Sequence, residues 1–477
     1  AALEAEGLLV SAPPDLPPLT AVTTDSRRAG AGALFCAVEG TAVDGHRFVA
    51  DAARAGAAAA LVSRTTDTDL PQVVVRDGRL AAAVVAAAFY GHPARDLRLV
   101  GVTGTNGKST TVAVTRHLLN AAGDTGALGT LGAFDGRGER LPDAGLTTPG
   151  PVDLHATFAA MRDRGVRTLI METSSHALHQ GRTHGVRFAA GVYTNLTREH
   201  LDYHGDYDSY LAAKLLLSRH LADGAVEAVN TDDPAWGALP DRAELRRIWF
   251  GTAPQAAVRA EAPAYDARGT RFRLVCGSDR ADVVLPLIGE FNVSNALAAA
   301  AVAWGFGMPT ADVAARLAAA PQVPGRLERL ADRPFTVLRD YAHTPDAITR
   351  VLRTLRAITP GQVLVVFGAG GDRDRGKRGP MAAAVAQGAD LGIITTDNPR
   401  TEDPERILDD VDAGFGGVAH LRVPDREEAI RRALRVARPG DTVLLMGKGH
   451  ETYQIYGTRK EPFDEPAIVR AALAEIA

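Results

Sequence analysis

Little in this sequence offers a covalent staple, a membrane anchor or a uniform charge. Only two cysteines, Cys36 and Cys276, stand among 477 residues. Two thiols cannot build the disulfide framework of a secreted scaffold, so a reducing compartment is expected. Aromatic residues are scarce at 5% although hydrophobic residues reach 46%. The apolar bulk is therefore Ala, Val and Leu, a composition that suits helices packed on buried parallel strands. The longest apolar stretches, 80–90 and 296–308, fall short of the roughly 18 residues that suggest a membrane span. Charge of one sign is also missing. The 53 lysines and arginines face 57 aspartates and glutamates, a net charge of −4, which excludes a global basic field for a nucleic acid backbone. The opening AALEAEGLLV is acidic and lacks the basic-then-apolar pattern of a secretory leader. The absence of Met at position 1 predicts a trimmed or engineered end. A multidomain α/β protein of the cytosol is the class that remains.

Glycine is what the chain has in quantity, with 48 residues. At about 150 residues per domain the length predicts three domains. Residues up to Arg95 read as a small α/β unit, with a strand over 33–38, an Ala-rich helix near 50–60, a strand over 72–75 and a helix over 79–90. Gly91-His92-Pro93 then breaks the chain. The Val-rich run 97–103 leads into the loop Gly104-Thr105-Asn106-Gly107-Lys108-Ser109-Thr110-Thr111 and a helix over 112–122. Buried strands over 168–171 and 189–193 end at Glu172 and at Thr194-Asn195. Short alternating strands follow over 254–286, then a helix over 292–304 and a linker at 321–326. In the last part, strands over 335–338, 363–367, 391–395 and 442–446 each end in a polar loop. That arrangement predicts a doubly wound sheet with ligands at the carboxyl ends of its strands.

The loop at 104–110 carries the strongest chemistry. Glycines let backbone N–H groups wrap a phosphate chain, Lys108 reaches toward the outer phosphates, and Ser109 suits Mg²⁺. Val102 stands where the first glycine of the usual phosphate loop belongs. Glu172, ending a strand one βα unit later, is placed to hold the nucleotide's metal. His176, His179, His184, His200 and His204 cluster in sequence, but there is no H-E-x-x-H and neither cysteine is near, so zinc is not expected. Lys214, on a helical run with Leu211, Leu215 and Leu217, reads by itself as a snorkelling surface lysine. The loops around 370–378, Asp397-Asn398-Pro399-Arg400 and 447–451 pair acids with cations on one predicted edge, a face suited to a zwitterion such as an amino acid.

Together these pieces resemble the Mur ligase family over nearly the whole chain. Gly104–Thr111 resembles its ATP loop, and Glu172-Thr173-Ser174-Ser175-His176 and His200-Leu201-Asp202-Tyr203-His204 resemble further family segments. The resemblance implies three domains: an N-terminal UDP-binding α/β domain over 1–95, a central P-loop ATPase-type parallel-sheet domain over 96–326, and a C-terminal Rossmann-like amino-acid-binding domain over 327–477. It assigns catalysis to Lys108, Glu172, Lys214 and His200. ATP would be held by Gly104, Thr105, Asn106, Gly107, Lys108, Ser109, Thr110, Asn292, Asn295, Arg326, Asp340 and His343. Ser26, Thr41, Ala42 and Val43 would contact the UDP moiety; Thr147, Thr148, Ser174, Gln180 and Arg182 would line the path of the muramoyl dipeptide. Arg373, Asp397, Asn398, Pro399, Arg400, Gly447 and Glu451 would receive the amino acid. Mg²⁺ would sit on Ser109, Glu172 and Lys214. Lys214 matches the lysine that the family carbamylates, which reverses its reading as a surface residue.

Asp-Asn-Pro-Arg resembles the members that add diaminopimelate rather than lysine. Arg400 can pair with the second carboxylate that lysine lacks. The resemblance implies an ATP-dependent ligase that joins diaminopimelate to UDP-N-acetylmuramoyl-L-alanyl-D-glutamate through an acyl phosphate. It would act as a cytoplasmic monomer with ATP and Mg²⁺, bind no nucleic acid and insert in no membrane. Domain closure would exclude water from the intermediate. The alternatives are a lysine-adding or other sister ligase, a folylpolyglutamate synthase, or a nucleotide-gated binding protein.

Overall fold

Short apolar runs rich in Val, Ile, Leu and Ala become buried parallel strands in three sheets. The computed structural model describes residues 1–40, 43–142 and 145–476. They divide into two units. One comprises Ala1–Glu261, Leu274–Ala281 and Ser294–Arg316, and the other Ala262–Arg273, Asp282–Val293 and Leu317–Ala477.

In the first unit, a five-stranded sheet runs in the order Leu9–Ser11, Gln72–Val75, Ala59–Val62, Ala33–Cys36, Ala21–Thr23. All its pairings are parallel except that of Leu9–Ser11. The helix expected near 50–60 is only Val49–Arg54. Gly56 turns left-handed at φ +92°, and Ala59–Val62 becomes a fully buried strand between Ala33–Cys36 and Gln72–Val75. Alanine favours helix, but burial between two strands overrides that weak preference.

The larger sheet of this unit is built around Arg98–Thr103. Thr168–Glu172 pairs with it on one side and Phe188–Tyr193 on the other, all parallel. Thr125–Gly129 lies beyond Thr168–Glu172; Leu221–Asn230 and Arg246–Gly251 lie beyond Phe188–Tyr193. The register pairs Glu172 with Val102 and Tyr193 with Thr103, so three carboxyl ends finish side by side. Val102 is thus a buried strand residue. The helix after the loop is Lys108–Leu119, starting four residues before the expected 112 and ending three before 122. The strands predicted over 254–286 are Val258–Asp266, Gly269–Cys276 and Asp279–Leu285.

The second unit holds a six-stranded sheet in the order Glu328–Ala331, Thr336–Asp340, Thr442–Met446, Val363–Phe367, Leu391–Ile394, Leu421–Arg422. Only Glu328–Ala331 runs antiparallel. Helices Pro345–Ile358 and Arg378–Gly388 pack with one apolar core. Helices Arg426–Val436 and Glu465–Ile476 pack with the other. This is the doubly wound arrangement expected, and it places the polar loops beyond the strand ends. Among the described residues no helix is long and apolar enough to cross a membrane.

Helix Pro151–Asp163 of the first unit buries His155 against Phe158, and neither ring nitrogen has a hydrogen-bond partner among the described residues. Burial pushes its pKa from 6.5 to about 4. Below pH 6.5 the unfolded chain binds a proton that the folded chain refuses, so stability falls as pH drops toward 4, by roughly 3 kcal/mol in all. His155→Leu should flatten this loss. Urea denaturation at pH 7.5 and pH 5 should show the variant gaining on the native chain only at the lower pH.

Candidate active site

The loop 104–107 sits on its strand end because Gly104 brings no side chain to the point of closest approach. Gly104 adopts φ +144°, and a Cβ there would stand 1.9 Å from the Thr194 hydroxyl. The carboxyl end of the neighbouring strand straps the loop down. Asn106 N–H donates to the Asn195 side chain at 2.9 Å, Asn195 Nδ2 and Thr194 Oγ1 donate back to the Asn106 carbonyl, and Thr105 N–H reaches the Asn195 carbonyl at 2.7 Å. Left-handed Gly107 precedes helix Lys108–Leu119, and no side chain caps it. The first-turn N–H groups and helix dipole make an anion site in which Ser109 and Thr110 take part. The Asn295 carboxamide oxygen lies beside Gly107 and 3.4 Å from Thr111 Oγ1.

Lys108 Nζ donates to the carbonyls of Gly104 and Thr105 at 3.0 and 2.8 Å. Lys214 Nζ, from helix Tyr207–Arg219, donates to the same Gly104 carbonyl at 2.7 Å. The snorkelling reading of Lys214 is thereby corrected: its residue is 2% exposed, because the helix turns this side chain under the phosphate loop rather than outward. Burial, and the nearby charge of Lys108, hold its pKa well below the usual lysine value. The Tyr210 ring lies 4.5 Å from its nitrogen, and the Tyr210 hydroxyl is 3.0 Å from Thr105 Oγ1.

Glu172 is 1% exposed and gathers oxygen-bearing groups. Its carboxylate accepts from Ser109 Oγ at 2.8 Å and from Thr130 through both backbone N–H and hydroxyl. Thr147 Oγ1 meets Thr130 Oγ1 at 3.0 Å. Thr148 Oγ1 donates to the Glu172 carbonyl at 2.8 Å, and Ser174 N–H donates to Thr148 Oγ1 at 3.1 Å. Arg182 reaches the Thr148 carbonyl at 2.7 Å and grips Gln180 through two bonds. Five expected dipeptide-path residues, Thr147, Thr148, Ser174, Gln180 and Arg182, therefore form one chain of contacts with Ser109 and Glu172.

His176 packs its ring against His200 at 4.8 Å, His204 at 5.3 Å and Tyr203 at 4.2 Å. Burial, with His200 and His204 nearby, lowers the His176 pKa to about 4, so its ring is neutral near pH 7. Among the described residues these histidines do not form a metal-ligating trio. The group that does gather is Glu39, Asp44 and His46. Its acids are taken by Arg64, and His46 spends one nitrogen on Asp44 and the other on Ser63 N–H. It is an ion-paired brace.

Ser26 opens the short helical turn Ser26–Arg28, capped by Asp25. Val43 is exposed; Thr41 and Ala42 lie outside the described residues.

In the second unit, Asp340 accepts from Leu327 N–H and Ala342 N–H at 2.6 and 2.7 Å, and burial raises its pKa. The Arg326 guanidinium lies 4.7 Å over the Tyr341 ring, and His343 Nδ1 is 2.8 Å from the Tyr341 carbonyl. Arg326, Asp340 and His343 are thus brought together. Asn292, in this unit, spends its amide on the Ile288 carbonyl.

The three polar loops of this sheet converge. Asn398 joins Glu451 at 2.8 Å, Gly371 N–H reaches the Asn398 carbonyl, and Arg400 Nη1 donates to the Gly371 carbonyl at 2.7 Å. Arg400 holds a left-handed φ of +54°, fixed by backbone bonds to Ile455 and Gly457 of the hairpin Tyr453–Tyr456/Arg459–Pro462. Asp397 and Pro399 are buried, Gly447 is adjacent to Asp397, and Arg373 is exposed. Sequence reasoning missed Thr130, Tyr210 and Lys448. Thr130 and Tyr210 gave no local signal, whereas Lys448 lay inside the polar loop at 447–451.

Family models match along the chain. The Mur ligase middle domain matches residues 102–303, the Mur ligase glutamate ligase domain 325–449, and the Mur ligase family catalytic domain 18–97. The UDP-N-acetylmuramoyl-L-alanyl-D-glutamate–2,6-diaminopimelate ligase of Geobacillus kaustophilus is 44% identical over 469 residues, 96% of each chain. The protein of the same description from Thermosynechococcus vestitus is 43% identical over 93% of this chain and 91% of its own. A solved structure of such a diaminopimelate ligase matches with a TM-score of 0.70 and 32% identity, covering 100% of this chain and 99% of its own. MurF ligase from Thermotoga maritima in complex with ADP shares the fold, with a TM-score of 0.64 at 18% identity over 95% of this chain and 96% of its own.

Gly104→Ala should lose about 2–4 kcal/mol of stability, because its Cβ meets both Thr194 and the Asn195 backbone. Gly237→Ala, with open space around it, should change stability by less than about 0.5 kcal/mol. Urea denaturation of both variants checks the contrast.

Proposed function

The chain belongs to the Mur ligase family, and from that premise we propose that it is an ATP-dependent, ADP-forming amide ligase. It joins diaminopimelate to UDP-N-acetylmuramoyl-L-alanyl-D-glutamate in the synthesis of peptidoglycan precursors. The observation that carries this reading is 44% identity to a diaminopimelate-adding relative across 96% of both chains.

The chemistry follows from a poor leaving group. A carboxylate oxygen cannot depart, so the D-glutamyl carboxylate first takes the γ-phosphoryl group of ATP and releases ADP. The free amine of diaminopimelate then attacks the acyl carbon. The tetrahedral intermediate expels phosphate, the nitrogen loses its proton, and an amide remains. Loop 104–110 cradles the phosphates through backbone N–H groups, and Lys108 neutralises their charge. His200, whose ring lies 6.1 Å from that of Tyr210, takes part in catalysis. Asn292, Asn295, Arg326, Asp340 and His343 hold the adenosine part of ATP. Ser26 with residues 41–43 receives UDP, and Thr147, Thr148, Ser174, Gln180 and Arg182 guide the dipeptide. Arg373, Asp397, Asn398, Pro399, Arg400, Gly447 and Glu451 receive the amino acid, with Arg400 on the carboxylate that distinguishes diaminopimelate from lysine.

The oxygen set of Glu172, Ser109 and Thr130 fits a hard cation such as Mg²⁺. Ser109 and Glu172 would hold it, and when bound it supplies charge neutralisation at the transferring phosphoryl group. Lys214 fits the carbamate role: burial beside Lys108 favours its neutral amine, the form that adds CO₂. The carbamate would turn a second cation into an anion at the metal. We divide the chain at about Arg95 and Arg326, in keeping with the spans of the three family models, and place it in the cytoplasm as a monomer.

Phosphate release with UDP-N-acetylmuramoyl-dipeptide and ATP should depend on diaminopimelate. Equal turnover with and without it would sink the ligase reading, and robust use of lysine would sink the diaminopimelate assignment. Lys214→Ala should lower kcat by about 100-fold or more, with partial rescue by short carboxylic acids. Full activity in this variant would rule out an essential carbamate.

A further inference from the structure

Building on the proposed reaction, we propose that Lys448 is a positioning residue for amino-acid selection, fixing which way the Asn398 carboxamide faces and so aiming Glu451. Lys448 stands in the loop after strand Thr442–Met446, and its side chain is wholly buried. Burying an ammonium costs several kcal/mol unless it is paired and hydrogen-bonded, so a lysine here needs a task that a surface lysine does not. Its Nζ lies 3.1 Å from Asn398 Oδ1, with Glu451 at 3.6 Å and Asp397 at 3.9 Å.

The chemistry of the donors settles the orientation. An ammonium can only donate, and so can a backbone N–H. Lys448 Nζ and Ile455 N–H both approach the same atom of Asn398, at 3.1 and 3.0 Å. That atom must be the carbonyl oxygen. The NH₂ group is left to face Glu451, to which it donates at 2.8 Å. A flipped carboxamide would set NH₂ against two donors and oxygen against a carboxylate. With Lys448 in place, Asn398 therefore has one usable orientation, and the Glu451 carboxylate is held by it. The second hydrogen of the Asn398 NH₂ has no partner among the described residues, which leaves one aimed donor beside one aimed carboxylate. That pairing is complementary to the carboxylate and ammonium of a zwitterionic amino acid. Lys448 also balances charge: Asp397 and Glu451 would otherwise rely on Arg426, which is committed to Glu465 at 2.8 Å and stands 4.0 Å from Asp397.

The test is steady-state kinetics of the full chain with each of the three substrates varied in turn. Lys448→Met should raise KM for diaminopimelate about 30-fold, the loss expected for a charge-assisted hydrogen bond. KM for ATP and for the UDP-substrate should stay within about threefold. Lys448→Gln retains an N–H donor for Asn398 Oδ1 and should recover most of the loss. An unchanged diaminopimelate KM in Lys448→Met overturns the inference, as does a parallel rise in all three KM values or a Lys448→Gln variant as poor as Lys448→Met. Should Lys448→Met fail to fold, Asn398→Asp decides. It gives Lys448 a charged partner but turns the group facing Glu451 from donor to acceptor, so KM for diaminopimelate should rise while KM for ATP holds. An unchanged diaminopimelate KM there overturns the inference too. Native turnover that ignores diaminopimelate would instead defeat the ligase reading itself.

Discussion

Two lysine side chains, Lys108 and Lys214, converge on one backbone oxygen, the carbonyl of Gly104. Much of the first unit's site follows from that crowding. Like charges in a poorly solvated place repel, and relief comes only from anions or from loss of a proton. The helix N-terminus beside them adds more positive potential. Here proton loss is the route taken, since burial beside Lys108 lowers the Lys214 pKa well below the usual lysine value. Glu172 stays in reserve on the next strand end, held by Ser109 and Thr130 rather than by the lysines. The strap from Thr194 and Asn195 keeps the Gly104 carbonyl where both amines meet it.

The second unit solves a related problem by other means. Its buried cations, Lys448 and Arg426, are offset by carboxylates already present, Glu451, Asp397 and Glu465. The first cluster crowds two amines on one carbonyl, whereas in the second each buried cation has a carboxylate within 4.0 Å. Both hang their polar groups from the carboxyl ends of parallel strands, where the chain must leave the sheet and backbone groups lose their ladder partners.

What was legible in the sequence was what is local. The loop 104–110 was readable because its glycines, Lys108 and Ser109 are consecutive, and the four strand-and-loop repeats of the last part because each is contiguous. The strand Ala59–Val62 was not, since alanine signals helix and only its two neighbours make it a strand. The burial of Lys214 was hidden because helical spacing gives a face but not what covers it. Without the family resemblance it would have stayed a surface residue. Thr130 and Tyr210 reach the site across the sheet or from another helix, and no spacing announces such a contact. Lys448 lies within the polar loop 447–451, but nothing local sets it apart, because a fully buried lysine is an exception to the ordinary rule for its type.

Arg400 sits in a conformation that asparagine or glycine would adopt more easily. Left-handed backbone costs an ordinary residue about 1–2 kcal/mol. Drift at this position is therefore biased: the substitutions that relax the backbone also delete the guanidinium. On the proposed assignment of Arg400 to the amino acid's carboxylate, arginine persists here only while selection for that contact outweighs a standing pull toward a more comfortable, less discriminating residue. A lineage freed from that demand would shed the specificity and gain stability in the same step, and returning would mean climbing back up the strain it had left.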